Sequence, residues 1–345
     1  MATSDTTDSG YSEEKRTKPL LVNGRYKNPW ATWKEPSANF FFTMMKEKDY
    51  SKIPSKKQEL DKHLPVQKPD FERLKTPPQS GVQATWIGHA SVLVQFDGIT
   101  LLTDPIFSDR CFMFQWIGPK RYRPPPCQVD ELPILDAVVI SHNHYDHLDH
   151  GSVVSLNKKF GETLWWYVPM GTRQWMLDCG CKNVVELSWW EEHKHSPNPD
   201  ITFVLTPAQH WCKRTATDTN KALWGSWVVK GPQRKFFFAG DTGYCEGFKQ
   251  IGNEYGPFDM AAIPVGAYAP RIAMKTQHVD PAEAILIHQD IKSQNSLGIH
   301  WGTFKLTYEF YLEPKTKLAE ELRKSNLPED CFVTITHGET RIFGK

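Results

Sequence analysis

Four histidines and two aspartates fall within ten consecutive positions, in SHNHYDHLDH, residues 141–150. Imidazole and carboxylate together are the donors that proteins use for zinc and related divalent metals. His142 and His144 are two residues apart, so an extended segment points both side chains the same way. A tight turn would then bring Asp146 and His147 round beside them. Four donors exceed what one metal with an open position needs, so the cluster predicts the start of a two-metal site.

The remaining ligands of such a site are expected where three other strands end. His210 follows the run ITFVLT, Asp241 follows KFFF, and His300 follows SLGI. Functional side chains in open α/β sheets gather beyond the carboxyl ends of the strands, so these three should meet the 141–150 cluster. Asp241 lies in the glycine-flanked turn AGDTGY, which favours it as the carboxylate that two metals share.

Short β-like runs alternate with helical segments from Gly81 onward. This alternation predicts the α/β class, with two sheets flanked by helices. Hairpin turns are expected at Asp97-Gly98 and at Gly231-Pro232, and a helix start at Asp280-Pro281. The pattern therefore predicts one α/β domain over residues 81–345.

The first eighty residues lack this pattern. Residues 1–20 are polar and charged and predict a disordered tail. Residues 21–80 show no strand alternation and predict an extension that packs on the core or faces a membrane. Within it, the apolar run around Phe41 and Phe42 indicates either a helix packed on the main domain or a segment that dips into a lipid surface.

Composition narrows the function classes. The net charge is +1, which argues against a nucleic-acid partner because no global field attracts a polyanion. The seven cysteines are an odd, scattered set, and no apolar leader or membrane-spanning run is visible. These features favour an intracellular protein with reduced thiols and no transmembrane helix.

Longer motifs give a more specific indication. HxHxDH followed by a strand-terminal His, Asp and His resembles the metallo-β-lactamase fold, an αββα sandwich. From about Gly24 onward the chain contains the motifs GRYKNPWATW (24–33), TWIGHAS (85–91), LLTDPIFSDR (101–110), GPKRYR (118–123), ISHNHYDHLD (140–149), PAQHWCKR (207–214), LWGSW (223–227), FFFAGDTGY (236–244), PFDMAAIPVGAY (257–268), QHVDP (277–281) and IHWGTF (299–304). Together these motifs resemble the family of N-acylphosphatidylethanolamine-hydrolysing phospholipases D, and the resemblance together with HxHxDH implies a metallo-β-lactamase-like hydrolase domain over residues 81–345.

The resemblance implies roles for individual residues. It implies two zinc ions per chain, one held by His142, His144 and His210, the other by Asp146, His147 and His300, with Asp241 shared. These are the same seven residues that spacing predicts. The family also places a tyrosine and a histidine against the phospholipid, which correspond to Tyr145 and His278. Lys213 and Arg214 match a basic pair near a site for bile-acid-type amphiphiles. The chain departs from the family at His150, where the family has an aromatic residue.

The implied reaction is hydrolysis of N-acylphosphatidylethanolamine to an N-acylethanolamine and phosphatidate. A hydroxide bridging the two metals would attack phosphorus. Asp146 or Asp241 would orient the water, and His278 would bind the phosphate or assist the leaving group. The expected partners are the phospholipid, a membrane surface contacted peripherally and a second copy of the chain.

Several alternatives stay open at this level. The same metals would serve a nuclease or another phosphodiesterase, and a saturated site would give a zinc-binding protein without catalysis. The residues do not distinguish zinc from iron. Asp104 in TDP is expected to accept a hydrogen bond from a ligand imidazole and so orient it. His89 in GHAS is either a similar supporting residue or a hydrogen-bonded loop histidine.

Overall fold

Two seven-stranded sheets make up most of the structure, a computed structural model that describes residues 16–35 and 47–344. The strands are β1 Leu20–Val22, β2 Arg25–Lys27, β3 Val82–Gly88, β4 Ser91–Phe96, β5 Ile99–Thr103, β6 Ala137–Val139, β7 Trp165–Pro169, β8 Asn183–Leu187, β9 Glu192–Lys194, β10 Thr202–Thr206, β11 Ser226–Lys230, β12 Lys235–Phe238, β13 Met260–Pro264, β14 Ser296–Ile299, β15 Phe332–Val333 and β16 Thr340–Phe343. The α-helices are α1 Lys57–His63, α2 Phe71–Leu74, α3 His150–Phe160, α4 Arg173–Asp178, α5 Gly247–Glu254, α6 Arg271–Met274, α7 Pro281–Asp290 and α8 Glu313–Lys324.

Each sheet is half antiparallel and half parallel. The first sheet has the order β16-β3-β4-β5-β6-β7-β8, and its pairs become parallel from β5 onward. The second has the order β15-β14-β13-β12-β11-β10-β9, and its pairs are parallel between β12 and β15. Helices flank the two sheets, so the predicted α/β sandwich is confirmed.

Side chains of the first sheet alternate between two apolar cores. In β6, Ala137 and Val139 contribute to the core that the two sheets share, whereas Val138 contributes to the outer core with α3. Across the shared core, Tyr167 stacks on Phe203 of the second sheet at a ring distance of 3.8 Å. The sequences of such strands are continuous apolar runs, because both faces of the sheet are covered.

The hairpin turn and the helix start that the sequence predicts are present in the structure. The turn between β4 and β5 has positive φ at Asp97 and Gly98, 47° and 80°, as a two-residue hairpin turn requires. Asp280 caps α7 by accepting a hydrogen bond from the Glu283 amide, with Pro281 at the first turn. None of the described helices is both long and apolar enough to cross a bilayer.

The N-terminal region differs from two expectations. Part of the expected tail is ordered, because Arg16 pairs with Glu254 and Thr17 bonds Gln250 on α5. The extension also contains a small hairpin, β1 and β2, too short to show an alternating pattern. Tertiary contacts hold it, since the Tyr26 amide donates to the Asn220 carbonyl at 2.8 Å. Residues 1–15 and the apolar run at 40–45 lie outside the described residues.

Candidate metal centre

The ligand loop, residues 141–149, begins two residues after β6 and ends where α3 begins. The amides of His147 and Leu148 both donate to the His144 carbonyl, at 3.1 and 2.8 Å, which makes the tight turn that the spacing predicts. Asp149 then caps α3 by accepting a hydrogen bond from the Ser152 amide. The loop is therefore fixed at both ends by regular structure.

One group of imidazoles lies at the first half of the loop. His142 Nε2 lies 2.8 Å and His210 Nε2 lies 3.3 Å from His144 Nδ1. His210 comes from the segment after β10. Three nitrogens this close match the face of a tetrahedral metal site, which leaves the fourth position open.

A second group lies beside it. Asp146 Oδ2 is 3.3 Å from His147 Nε2 and 3.6 Å from His300 Nε2. His300 directly follows β14 and has a positive φ of 62°, a conformation that is uncommon outside glycine. This backbone geometry turns its ring toward the loop. His89 Nε2 also contacts Asp146 Oδ2, at 2.9 Å.

Asp241 lies between the two groups. Its Oδ2 is 3.1 Å from His147 Nε2 and 3.9 Å from His210 Nε2, and its Oδ1 is 3.0 Å from His300 Nε2. The turn before it needs a glycine, because a Cβ at Gly240 would lie 2.5 Å from the Ser141 Cβ. The carboxylate thus occupies the position expected of a bridging ligand.

Hydrogen bonds outside the centre orient three of its rings. His147 Nδ1 donates to Asp104 Oδ2 at 2.6 Å, and His210 Nδ1 donates to the Gln277 carbonyl at 3.0 Å. His142 Nδ1 lies 2.9 Å from Ser141 Oγ. Each contact places the ring hydrogen on Nδ1 and leaves the Nε2 lone pair facing the centre. Asp104 therefore has the supporting contact that the sequence predicts.

The electrostatics of the first group suit cation binding. Burial lowers the pKa of His142 and His210 well below the ordinary histidine value, and that of His144 to about 4. These imidazoles are neutral at pH 7, so their lone pairs are available to a metal. Among the residues that the structure describes, buried His144 Nε2 and Asp241 Oδ1 have no hydrogen-bond partner, although Asp241 Oδ1 lies 3.0 Å from His300 Nε2.

The second group carries opposed charges. Burial acts to raise the pKa of Asp146 and Asp241, but the neighbouring His147 outweighs it and holds both carboxyls well below their usual range. Burial acts to lower the pKa of His300, but Asp241 raises it to about 9. A metal ion that binds here would displace the protons from these histidines. Its positive charge would then balance the negative charge of the carboxylates. The donor set therefore fits metal ions.

A cavity of about 310 Å³ opens onto the centre. Tyr145, His278 and Lys213 line it, together with Asp146 and Asp241. His278 Nδ1 lies 3.8 Å from Asp241 Oδ2, so this imidazole faces the reacting region. His150, by contrast, is exposed at the start of α3 and is not among the residues that line the cavity.

The two basic residues after His210 differ in their contacts. Lys213 is exposed at the cavity wall. Arg214 Nη1 donates to the carbonyls of Asn143 and Leu148, at 2.9 and 2.7 Å, near opposite ends of the ligand loop. Its guanidinium also lies 4.2 Å from the Tyr145 ring centroid. Arg214 therefore braces the loop, a role that sequence reasoning missed.

The role of His89 was also left undecided by the sequence. It follows β3 and is buried, with a φ of 53° and its ring 4.1 Å from that of His300. A histidine directly after a strand was the available signal, the same one that identified His300.

Comparison with known proteins identifies the family. The model of the β-lactamase superfamily domain matches residues 100–301. The chain is 40% identical to N-acyl-phosphatidylethanolamine-hydrolyzing phospholipase D 1 of Caenorhabditis elegans, over 97% of each protein. The chain belongs to the family of N-acylphosphatidylethanolamine-hydrolysing phospholipases D.

Two further similarities agree with this family. The mitochondrial N-acyl-phosphatidylethanolamine-hydrolyzing phospholipase D of Saccharomyces cerevisiae is 34% identical, over 91% of this chain and 75% of the yeast protein. Igni18, a metallo hydrolase from Ignicoccus hospitalis, superimposes with a TM-score of 0.58 at 17% identity, over 77% of this chain and all of its own. The structural similarity shows the fold alone. Family membership makes this phospholipase D relative a metal-dependent phosphodiester hydrolase.

Proposed function

We propose that the chain is a zinc-dependent phospholipase D that hydrolyses N-acylphosphatidylethanolamine to an N-acylethanolamine and phosphatidate. The convergence of seven donors from distant segments carries the proposal. Six of them surround the seventh, the Asp241 carboxylate, at a cavity of about 310 Å³. The sequence similarity to two phospholipases D with this named activity supplies the substrate class.

The donor set divides naturally between two zinc ions. His142, His144 and His210 would hold one ion, Asp146, His147 and His300 the other, with Asp241 shared between them. Bound zinc ions would lower the pKa of water toward 7 and offset the negative charge of the phosphate.

The protein's own side chains position the substrate. Tyr145 is fixed at the cavity wall, because its hydroxyl donates to the Arg214 carbonyl at 2.8 Å. Burial lowers the pKa of His278 to about 4, so its imidazole is neutral and is able to donate one hydrogen bond. Facing the carboxylate of Asp241, it is suited to bind the phosphate or the departing oxygen. Asp146 and Asp241 accept hydrogen bonds and would orient the attacking water.

The test uses three substrates. Purified protein is expected to cleave N-acylphosphatidylethanolamine much faster than RNA or bis-p-nitrophenyl phosphate. Chelation should abolish cleavage and zinc should restore it, with two zinc ions per chain by elemental analysis. Preferred cleavage of RNA would instead indicate a nuclease, and no hydrolysis by the zinc-loaded protein would indicate a non-catalytic zinc-binding protein. Recovery with iron alone would contradict the zinc assignment.

We also propose that the protein meets the membrane at the mouth of this cavity. The apolar loop, residues 112–117, exposes Phe114 and Trp116, the latter to 74%. Cys111, directly before the loop, and Pro119, two residues after it, line the cavity. Contiguous apolar surface of this kind marks an interaction site, and indole rings favour the bilayer interface.

Helix α6, which also contributes to the cavity lining, exposes a further apolar side chain. Ile272 on α6 is 83% exposed, and Met274 on the same helix lines the cavity. Lys120, Lys213 and Lys275 are exposed next to or among the lining residues, and none has a carboxylate within 4.0 Å among the described residues. Apolar side chains between unpaired lysines suit an anionic lipid surface.

Replacing Trp116 with Ala is expected to weaken binding to anionic liposomes about tenfold, because the indole would lose much of its apolar burial. Cosedimentation measures this effect. Leu286→Ala is the matched control, since Leu286 is an exposed apolar residue on α7 that lines none of the cavities described above. Equal binding by both variants would place the membrane contact elsewhere, for example at Phe41 and Phe42, as the sequence suggested.

Two other partners belong to the proposal. A bile-acid-type amphiphile would find an exposed cation at Lys213, whereas Arg214 is occupied by the ligand loop. A second copy of the chain has an apolar surface available on β1, where Leu20 and Leu21 are exposed.

A further inference from the structure

A second cavity adjoins the one that opens onto the metal centre. This side chamber has a volume of about 240 Å³. Among the described residues, Trp33, Glu35, Thr219 and Asn220 line the chamber without lining the metal cavity, and the exposed Glu35 carboxylate pairs with Lys27 at 3.7 Å. The two spaces have one wall in common, the shared wall, formed by Trp211, Lys213 and Gln277.

The shared wall presents mainly apolar surface, because the polar groups of Trp211 and Gln277 are engaged with each other and Lys213 contributes its aliphatic stem. Trp211 Nε1 donates to Gln277 Oε1 at 2.6 Å, and Gln277 Nε2 contacts the Met274 sulfur at 3.3 Å. On the far side, Trp33 packs against the main core, and its amide bonds the Trp30 carbonyl at 3.1 Å. Two indoles with an aliphatic lysine stem form a surface for a hydrocarbon chain.

Two residues of the shared wall are adjacent in sequence to residues of the reacting region. Trp211 follows His210, and its ring lies 4.5 Å from that of His144. Gln277 precedes His278, whose imidazole faces Asp241. A substituent on the phosphate that passes His278 would reach the shared wall within a few bonds.

We propose that the side chamber binds the N-acyl chain of the substrate and so sets the preference for long N-acyl groups. This inference rests on the proposed function. The chamber suits a segment of one chain, whereas the diacylglycerol has two chains that stay with the bilayer. The apolar loop lies beside Tyr145, which lines the metal cavity but not the side chamber, and the rings of Phe112 and Tyr145 are 5.3 Å apart.

The test is a substitution that fills the side chamber, at a residue that does not line the metal cavity. Thr219→Phe places a ring in the chamber, and Thr217→Phe is the matched control. Both threonines lie in the same loop, and Arg25 bonds both of their carbonyls, but Thr217 is exposed and lines neither cavity. Competition between N-palmitoyl and N-acetyl substrates with identical diacylglycerols, in mixed micelles, gives the ratio of their kcat/KM values.

Thr219→Phe is expected to lower the N-palmitoyl to N-acetyl ratio about tenfold, the equivalent of two methylene groups losing their burial. Cleavage of the N-acetyl substrate should stay within about twofold of wild type, which also reports that the variant folds. Thr217→Phe should leave the ratio unchanged. If Thr219→Phe unfolds, Trp33→Ala replaces it and is expected to change the same ratio.

Two results would overturn the inference. Equal ratios in wild type and the chamber variants would show that the N-acyl chain lies elsewhere. In a second series, with the N-acyl group held constant and the diacylglycerol chains varied, a change that follows the length of those chains would assign the chamber to the diacylglycerol. Absence of N-acylphosphatidylethanolamine cleavage by the wild type would overturn the proposed function itself, which is a distinguishable outcome.

Discussion

Asp241→Asn is expected to reduce hydrolysis by at least about 1000-fold and to remove metal from the protein. The carboxylate lies between both groups of donors, and its two oxygens face His147 and His300 at 3.1 and 3.0 Å. Asparagine keeps the shape but removes the charge, so neither group retains the shared anion. Elemental analysis and kcat/KM measure the two effects, and the exposed Asp200→Asn is the control.

His278→Ala gives the comparison that separates metal binding from substrate handling. Its ring faces Asp241 at 3.8 Å and lies on the cavity wall. We expect about a 100-fold loss of kcat with full metal content, because a positioned hydrogen-bond donor contributes on that scale. A fall in metal content would make His278 a ligand, since His210, Asp241 and His278 also form a group of possible ligands.

Arg214→Ala is expected to lower the free energy of unfolding by about 3 kcal/mol and to lower metal affinity about tenfold or more. One nitrogen of the half-buried guanidinium donates to the Asn143 and Leu148 carbonyls, and the cation packs on the Tyr145 ring. Removing it leaves two carbonyls unpaired and frees the segment that carries four of the proposed ligands. Chemical denaturation and competition with a zinc chelator measure the two changes.

The neighbouring residue provides the control. Lys213 is exposed, so Lys213→Ala should leave both unfolding and zinc affinity within experimental error of wild type. Arg214→Lys should recover only part of the loss, because an ammonium group keeps the charge but lacks the planar geometry that stacks on an aromatic ring. Wild-type zinc affinity in Arg214→Ala would refute the bracing role.

Local signals in the sequence were sufficient for most of the fold. Strand and helix positions followed from apolar runs, from the turn at Asp97-Gly98 and from the cap at Asp280, each of which acts over a few residues. The β1–β2 hairpin was missed because three-residue strands carry no alternation, and its stability comes from contacts such as Tyr26 with Asn220.

The sequence by itself determined which donor types the candidate metal centre offers, because histidines and aspartates that follow strands can be recognised from the order of residues alone. Which residues support that centre was decided only by tertiary structure. His89 and Asp146 are 57 residues apart, and Arg214 bonds a carbonyl 71 residues away, so no local pattern records either contact. The side chamber has the same origin, since Trp33 and Thr219 become neighbours only when the N-terminal extension packs on the second sheet.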